Sequence, residues 1–525
     1  MLQQTFVHMP GVGPNTEHRL WQNGYRCWDD VLHALNRGAS PRDLCRDNRQ
    51  RLLFGADCDD VPQQGKGGVW LRFLEQSKAA LDACQFDFFL NSLNPGAHWR
   101  VLDDVRDDAL YLDIETTGLS HQLHYVTVIG AFFRGRMHQW VWPQPLDQLG
   151  ELLDEARVVV TFNGTRFDLP FLRHHAPYLP VPRAHIDLLH PTRGLGIKGG
   201  QKAAEIAFGF SRGEDLTGFD GSEAVSAWCG ALYGSRECYQ RLLRYNAEDV
   251  LMMRRLAGAL CARHAAQSGL EPLDSSEVGC DFKAGHRPSS FASLQNAWTE
   301  RRPGIHLLLP KLLERLGREP VIAGIDLRAK PARPTGMAIC MGSSATTWIA
   351  FEDDDIFEST IRAKPDLVSI DAPLFLPRCR TSVSDQSPCR KFGIVRDAER
   401  ILWSRRIPVY PALIRQMQGL TKRGIELADR FRAEGIDVIE SYPGAAQDIL
   451  GIPRKRLDLG LLSRGLEQFG FKIAGAGSHD ELDAVTSALV GYFFLADSYE
   501  GLGADDEGYM IVPKWTGQMA WTLTG

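Results

Sequence analysis

Five residues in this sequence have types and an order that could carry metal-assisted chemistry: Asp113, Glu115, Asp168, Tyr245 and Asp249. In YLDIETTG, Asp113 and Glu115 stand two positions apart, and in an extended strand that spacing sends both side chains to one face. Two carboxylates on one face repel unless a cation sits between them, although a D-x-E pair is also an ordinary feature of a wet strand face. Asp168, in TFNGTRFDLPFL, follows a buried strand at the entry to a helix, where an acid serves as a cap as readily as a ligand. Tyr245 and Asp249, in LLRYNAEDVLMM, are four apart, which stacks them on one helix face. Each signal is common alone, but their joint order is not: D-x-E on a first strand, Asp after a fourth, Tyr-x-x-x-Asp on the last helix. Phosphodiester cleavage needs a hydroxide at neutral pH, a clamp on the phosphate and stabilisation of the leaving oxygen. Two Mg²⁺ or Mn²⁺ ions roughly 4 Å apart supply all three. Such hard cations take carboxylate oxygens rather than thiols.

The elements that must position these residues follow from hydrophobic periodicity. Residues 1 to 105 read as mainly helical, with a Gly/Gln-rich turn near Gly65 to Gly68. From Leu110 the period becomes that of strands: LYLDIETTG, YVTVIGAFFRG and MHQWVWP, then a helix LDQLGELLDEA, the buried strand RVVVTFNG, a short strand HIDLLH and a closing helix RECYQRLLRYNAEDVLMMRRLAGALC. A polar stretch, Ala266 to Arg302, precedes a second series: VIAGIDL, TGMAICMG, TTWIAFE, a helix DDIFESTIRAK, DLVSIDAPL, IDVIESYPG and a helix from His479 to Ala496. Three strands, helix, strand, helix, strand and terminal helix is the order of the RNase H fold. The fold class expected is therefore α/β, with two RNase H-like domains, each a mixed five-stranded sheet flanked by helices, behind an N-terminal helical region. The boundaries read as 1–105 helical, 106–265 first domain, 266–319 linker and 320–525 second domain.

The second series has its own acids. Asp326 and Asp371 end strands, Asp480 and Asp483 lie three apart on the last helix, and these four would converge in an RNase H-like fold; Glu440 lies on a more lateral strand. An insertion, 378–430, holds 12 Lys/Arg against 5 Asp/Glu, so 12 − 5 = +7. With Trp403 and Tyr410 interleaved and Arg405 and Arg406 at its centre, it fits a phosphate-tracking surface with stacking rings as well as a solvated helix face. Cys379 and Cys389 within it lack the further ligand pair of a zinc site. Near the start, PGVGPNTEHRL resembles half of a helix-hairpin-helix, in which Gly11 and Gly13 let backbone N–H groups approach a phosphate; a structural turn is the alternative. Lys202 has two readings, a phosphate contact or a solvated lysine. His185 beside Asp187 reads as structural.

The segments LDIETTGL, FNGTRFDLPFL, HIDLLH, GGQKAAEIAFGFSR and YNAEDV, in order over residues 105 to 262, resemble the DEDD exonucleases of the RNase H-like superfamily that carry a tyrosine in the third motif. They are similar in particular to the YprB-type ribonuclease H-like domain, and GVGPNTEHRLWQNGYRCWDDVL resembles the start of such proteins. The resemblance implies Asp113, Glu115 and Asp249 as direct metal ligands. Asp168 would sit on a second ion directly or through water, and Tyr245 would orient or help deprotonate the attacking water. In the second half, GIDLRAKPARPTGMA, SIDAPLFLP, IESYPGA, HDELDAVTSAL and the terminal GYMIVPKW, over roughly 320 to 515, resemble the predicted nucleases of the domain-of-unknown-function 429 family. That likeness implies a fold more safely than an activity.

The bulk composition fits this reading. Hydrophobic residues at 44% and charged residues at 24% describe a globular chain rather than a disordered or fibrous one. A net charge of −6 confines any nucleic-acid surface to a local patch. Eleven scattered cysteines without a C-x-x-C pair, and a start without an apolar signal, read as a reduced cytoplasmic protein with no membrane role. The function expected is a two-metal 3′-to-5′ exonuclease on single-stranded nucleic acid, DNA favoured over RNA, with protein partners unknown. The rivals are an endonuclease or resolvase cutting with the C-terminal domain, and a nucleic-acid-binding protein with vestigial acids.

Overall fold

The computed structural model describes residues 1–46, 67–122, 124–270, 283–302, 304–378, 380–384, 393–454, 459–475 and 477–514. Cys379, Cys389 and the Gly65 and Lys66 part of the early turn lie outside them. The chain divides into two compact units: unit 1 is 1–115, 128–218 and 243–289, and unit 2 is 116–127, 219–242 and 290–525.

Unit 1 is built on strands β1 (Ala109–Thr116), β2 (Val126–Phe133), β3 (Arg136–Val141), β4 (Val158–Thr161), β5 (His185–Asp187) and β6 (Lys283–Ala284). They lie in the order β5-β4-β1-β2-β3-β6. Pairing is antiparallel between β2 and β3 and parallel along β1, β4 and β5. The central strands are apolar because both faces are covered: VTVIGAFF and VVVT are buried throughout. The N-terminal helices share this core, since Leu20, Trp28, Trp70 and Trp99 pack in one cluster with Tyr111, Val158, Val160 and Ile186 of the sheet. The helical region thus has no separate core. Its helix Pro14–Gln22 turns Glu17 inward, where the carboxylate accepts the Phe6 and Val7 N–H groups at 2.6 and 3.1 Å and pairs with buried Arg100 at 2.8 Å.

Unit 2 carries strands β7 (Val321–Asp326), β8 (Thr335–Met341), β9 (Ser344–Ala350), β10 (Leu367–Asp371), β11 (Val438–Ser441), β12 (Lys472–Ala474), β13 (Tyr499–Ala504) and β14 (Gly508–Pro513). Their order is β12-β9-β8-β7-β10-β11-β14-β13. The central five repeat unit 1's arrangement of third, second, first, fourth and fifth strands, with antiparallel β7–β8–β9 and parallel β7–β10–β11. Among the described residues both sheets exceed the five strands expected, with six and eight. The additions are KA and KIA, too short to show a period of two, and the antiparallel pair β13–β14 beside β11. The stretch 266–319, read as a linker, instead holds the helices Phe291–Arg301 and Leu309–Leu316, the first capped by Ser290, whose Oγ accepts the Ser293 N–H at 3.1 Å.

The helix His479–Leu495 is buried from Asp480 to Phe493 and packs across β7, β8 and β10. Its close approach needs small residues beneath it. A Cβ at Gly324 of β7 would fall 1.9 Å from the Ala484 carbonyl oxygen, and one at Gly336 of β8 2.0 Å from that of Asp480. No helix among the described residues is long and apolar enough to cross a membrane. Gly324→Ala should destabilise unit 2 by about 1–3 kcal/mol, because the clash is with backbone that no rotamer change relieves. Denaturant titration of the full chain measures this, and an unchanged midpoint would rule out so tight a helix–strand contact.

Candidate metal centre

Strand β1 and the helix Arg236–Ser268 bring three of the five acidic-site candidates of unit 1 together. Asp113, Glu115 and Asp249 each offer a carboxylate oxygen, and these oxygens lie within 4.8 Å of one another. Among the described residues this is the acid grouping with such geometry. Asp168 opens the helix Asp168–His175, buried, and its Oδ1 accepts the Ile114 N–H at 3.2 Å, between the two β1 acids. It is therefore both a tie between helix and strand and a neighbour of the cluster. Tyr245 lies one turn before Asp249, buried, with its ring 4.7 Å beneath the Lys202 ammonium.

Burial raises the Asp113 and Glu115 carboxyls well above the usual range, and Asp249 adds further repulsion to each. Burial also pushes Asp168 up to about 7, against the backbone N–H groups that favour its charged form. Asp249 is raised by burial too, with the Arg212 guanidinium opposing. The Tyr245 phenol is raised by burial and by the facing carboxylates, which keeps its hydroxyl protonated. Buried like charges of this kind call for a cation. Glu115 Oε1 is buried with no hydrogen-bond partner. An all-oxygen donor set with an orphaned carboxylate oxygen fits a hard divalent ion.

The remaining contacts aim the cluster. Asn246 Nδ2 donates to Asp113 Oδ2 at 3.2 Å, while Gln139 holds Asn246 by donating to its Oδ1 at 3.1 Å and to the Leu243 carbonyl at 2.8 Å. Asp187 accepts the N–H groups of Asn163, Thr165 and Leu189, shaping the turn that leads to Asp168, and His185 contacts Thr161 Oγ1 at 2.8 Å, a structural role for both. A cleft opens on Asp113, Asn163, Arg193, Lys202, Tyr245 and Asp249. Sequence reasoning passed over Asn246 and Arg212. The first adjoins Tyr245 in YNAEDV, and the second ends the GGQKAAEIAFGFSR segment, so position within matched segments was the only signal. Arg212 bonds both Glu205 and Asp249.

The second acidic set does not form a comparable grouping. A guanidinium occupies its space: Arg328 bonds Asp480 and lies 3.7 Å from Asp326, with Asp371 also acting on its charge. Asp483 accepts from Gln447 at 2.9 Å, and Glu440 pairs with buried Arg396. The basic insertion is extensively ion-paired. Arg378, Arg396, Arg400, Arg405, Arg423 and Arg430 are all ion-paired, several to acids outside 378–430 that a local charge count omits. Arg405 is committed to Glu500, and Arg406 donates to the Leu119 carbonyl at 3.0 Å. Trp403 and Tyr410 remain exposed. Gly11 adopts φ +76°, and Gly13 caps the Pro14–Gln22 helix with open space beside it.

Residues 110–261 match the RNase_H_2 model, described as RNase_H superfamily. This relationship points to nuclease chemistry on nucleic acid for the part of the chain that holds the acid cluster. No curated protein matches the chain.

The raised carboxyls link site charge to stability. The folded state holds these protons to higher pH than the unfolded chain, so their stabilising contribution is full below about pH 4 and lost as pH rises, for Asp168 through about 7. Without divalent ions, the thermal midpoint of unit 1 should fall between pH 5 and 8, Asp113→Asn should flatten that fall, and Mg²⁺ or Mn²⁺ should raise the midpoint more at pH 8. A wild-type midpoint that rises with pH, or an Asp113→Asn curve parallel to it, would contradict the coupling.

Proposed function

We propose that unit 1 is a two-metal-ion phosphodiesterase of the tyrosine-bearing DEDD type, acting as a 3′-to-5′ exonuclease on single-stranded nucleic acid, DNA favoured over RNA. The observation that carries the reading is the convergence of Asp113, Glu115 and Asp249 within 4.8 Å inside the segment that matches the RNase H superfamily. The likeness to the YprB-type domain supports the polarity and the role of Tyr245.

In this reading Asp113, Glu115 and Asp249 hold divalent cations, Mg²⁺ or Mn²⁺, with Asp168 beside them. The bound ions supply a hydroxide at neutral pH and neutralise charge on the phosphate. The protein's own share is orientation. Asn246 fixes Asp113, Gln201 donates to the Asp249 carbonyl at 2.7 Å and steadies that turn of helix, and the protonated Tyr245 hydroxyl orients the attacking water rather than removing its proton. Lys202, over the Tyr245 ring, brings positive charge to the rim of an acidic pocket that would otherwise repel a polyanion. Unit 2, whose Arg328 stands among its acids, is read as a domain of the 429 family that does not cut.

The test is digestion of end-labelled single- and double-stranded DNA and RNA with Mg²⁺, Mn²⁺ or EDTA, in which a single-nucleotide ladder from the 3′ end is expected. Asp113→Asn and Glu115→Gln should reduce cleavage to background. Tyr245→Phe should slow it roughly 10²-fold with metal affinity nearly unchanged, and Asp249→Asn should weaken both. Equal loss of metal binding in the Tyr245 and Asp249 variants would refute their division of roles. Residual Mg²⁺-dependent cleavage in Asp113→Asn that disappears on adding Asp371→Asn would transfer the chemistry to unit 2.

A further inference from the structure

Arg212 has more donors than its surroundings use. It follows the Gln201–Ala207 helix, and Glu205 of that helix braces it from one side, accepting from Nε at 2.8 Å and from Nη2 at 2.6 Å. The same Nη2 reaches the Asp249 carboxylate, and the guanidinium carbon stands 5.7 Å from the Tyr245 ring. The side chain is only 9% exposed, yet Nη1 is buried with no hydrogen-bond partner.

A buried charged donor left unmade costs more than an ordinary hydrogen bond returns, so such a group marks a place where a partner is expected. The guanidinium fork matches phosphate oxygens, and Glu205 fixes the plane of this one in advance. The cations that line the cleft are Lys202 and Arg193, and Arg212, which reaches Asp249 from beside that lining, would add a third to the phosphate-binding set.

We propose that Arg212 is a substrate-binding residue of the unit 1 site, its Nη1 donating to a non-bridging oxygen of the phosphodiester held against the Asp113–Glu115–Asp249 cluster. The proposal rests on the nuclease reading and deepens it. Arg212 then has two duties, to align Asp249 through Nη2 and to hold phosphate through Nη1. A residue that only aligned Asp249 would show the first without the second.

The experiment uses the full chain in an Asp113→Asn background with Mg²⁺, and reads binding of a fluorescein-labelled single-stranded oligodeoxynucleotide by anisotropy across a salt series. Adding Arg212→Ala should weaken binding roughly 10-fold and make the log–log salt dependence shallower by about 0.7, the share of one phosphate contact on a single strand. Arg212→Lys should keep the slope and recover part of the affinity. Mn²⁺ titration of Arg212→Ala alone should show weakened affinity as well, because Asp249 loses the contact that aligns it. Unchanged oligonucleotide affinity and slope, with weakened Mn²⁺ binding, would overturn the proposal by leaving Arg212 only its alignment of Asp249. If Arg212→Ala does not fold, Glu205→Gln frees the guanidinium at constant volume and should lower affinity in the same direction; no change there counts against the proposal. A parent that binds no oligonucleotide overturns it outright. Intact binding without cleavage by the wild type defeats the nuclease reading instead.

Discussion

The mutual repulsion of carboxylates gathered out of water is the constraint on which the rest of unit 1 depends. Three acids within 4.8 Å cannot be a resting arrangement of an unsupported strand. Strand β1 supplies two of them because alternate residues share a face, and its parallel partner β4 leads into the turn that delivers Asp168. The long closing helix must come close enough to add Asp249, and Gly130 of β2 makes room: a Cβ there would stand 2.3 Å from Asn246 Oδ1. Asn246 in turn reaches Asp113, so the same absence of a side chain serves packing and the aim of a ligand.

Unit 2 resolves the same problem by a different route. Its first strand and last helix also converge on acids, but Arg328 bonds Asp480 beside Asp326, and the charge is answered from within the chain. A guanidinium satisfies geometry and charge permanently, whereas an exchangeable ion leaves coordination positions for a substrate. The same element order can therefore frame an acid cluster able to hold a metal ion in one unit and an ion-pair network in the other. The Glu399–Arg396–Glu440 triad, buried in unit 2, is a further network of this closed kind.

How much of this was legible in the sequence depends on the range of the interaction involved. The two series of strands and helices follow from period and spacing, which are local, whereas the convergence of Asp113, Glu115 and Asp249 was legible through the joint order of the motifs and the resemblance to the DEDD exonucleases. The brace of Arg212 by Glu205 also spans only seven positions, yet it lies across a turn where no period operates. The pairing of the charges in 378–430 is not legible locally because their partners, Asp353, Asp354, Glu440, Glu500 and Asp506, are brought from elsewhere by the fold. A count of local charge measures a surface only where the side chains stay unpaired. The strands Lys283–Ala284 and Lys472–Ala474 are too short to show a period, while the helices of 266–319 carry local marks, Ser290 before the first and Pro310 and Gly317 at the ends of the second, that a reading of the stretch as linker passes over.

The division of the chain into interleaved segments bears on how it is made. Each unit is assembled from three stretches, and β1 must wait until residues 243–289 have left the ribosome before Asp249 can join Asp113. The segments 116–127 and 219–242 wait longer still, for 290–525. During vectorial synthesis the apolar strands of unit 1 are thus exposed before their closing helix exists, the interval in which nascent chains are most open to misassembly. The pace of elongation across residues 116–289 therefore sets how long those strands stay uncovered, separately from anything the finished site does.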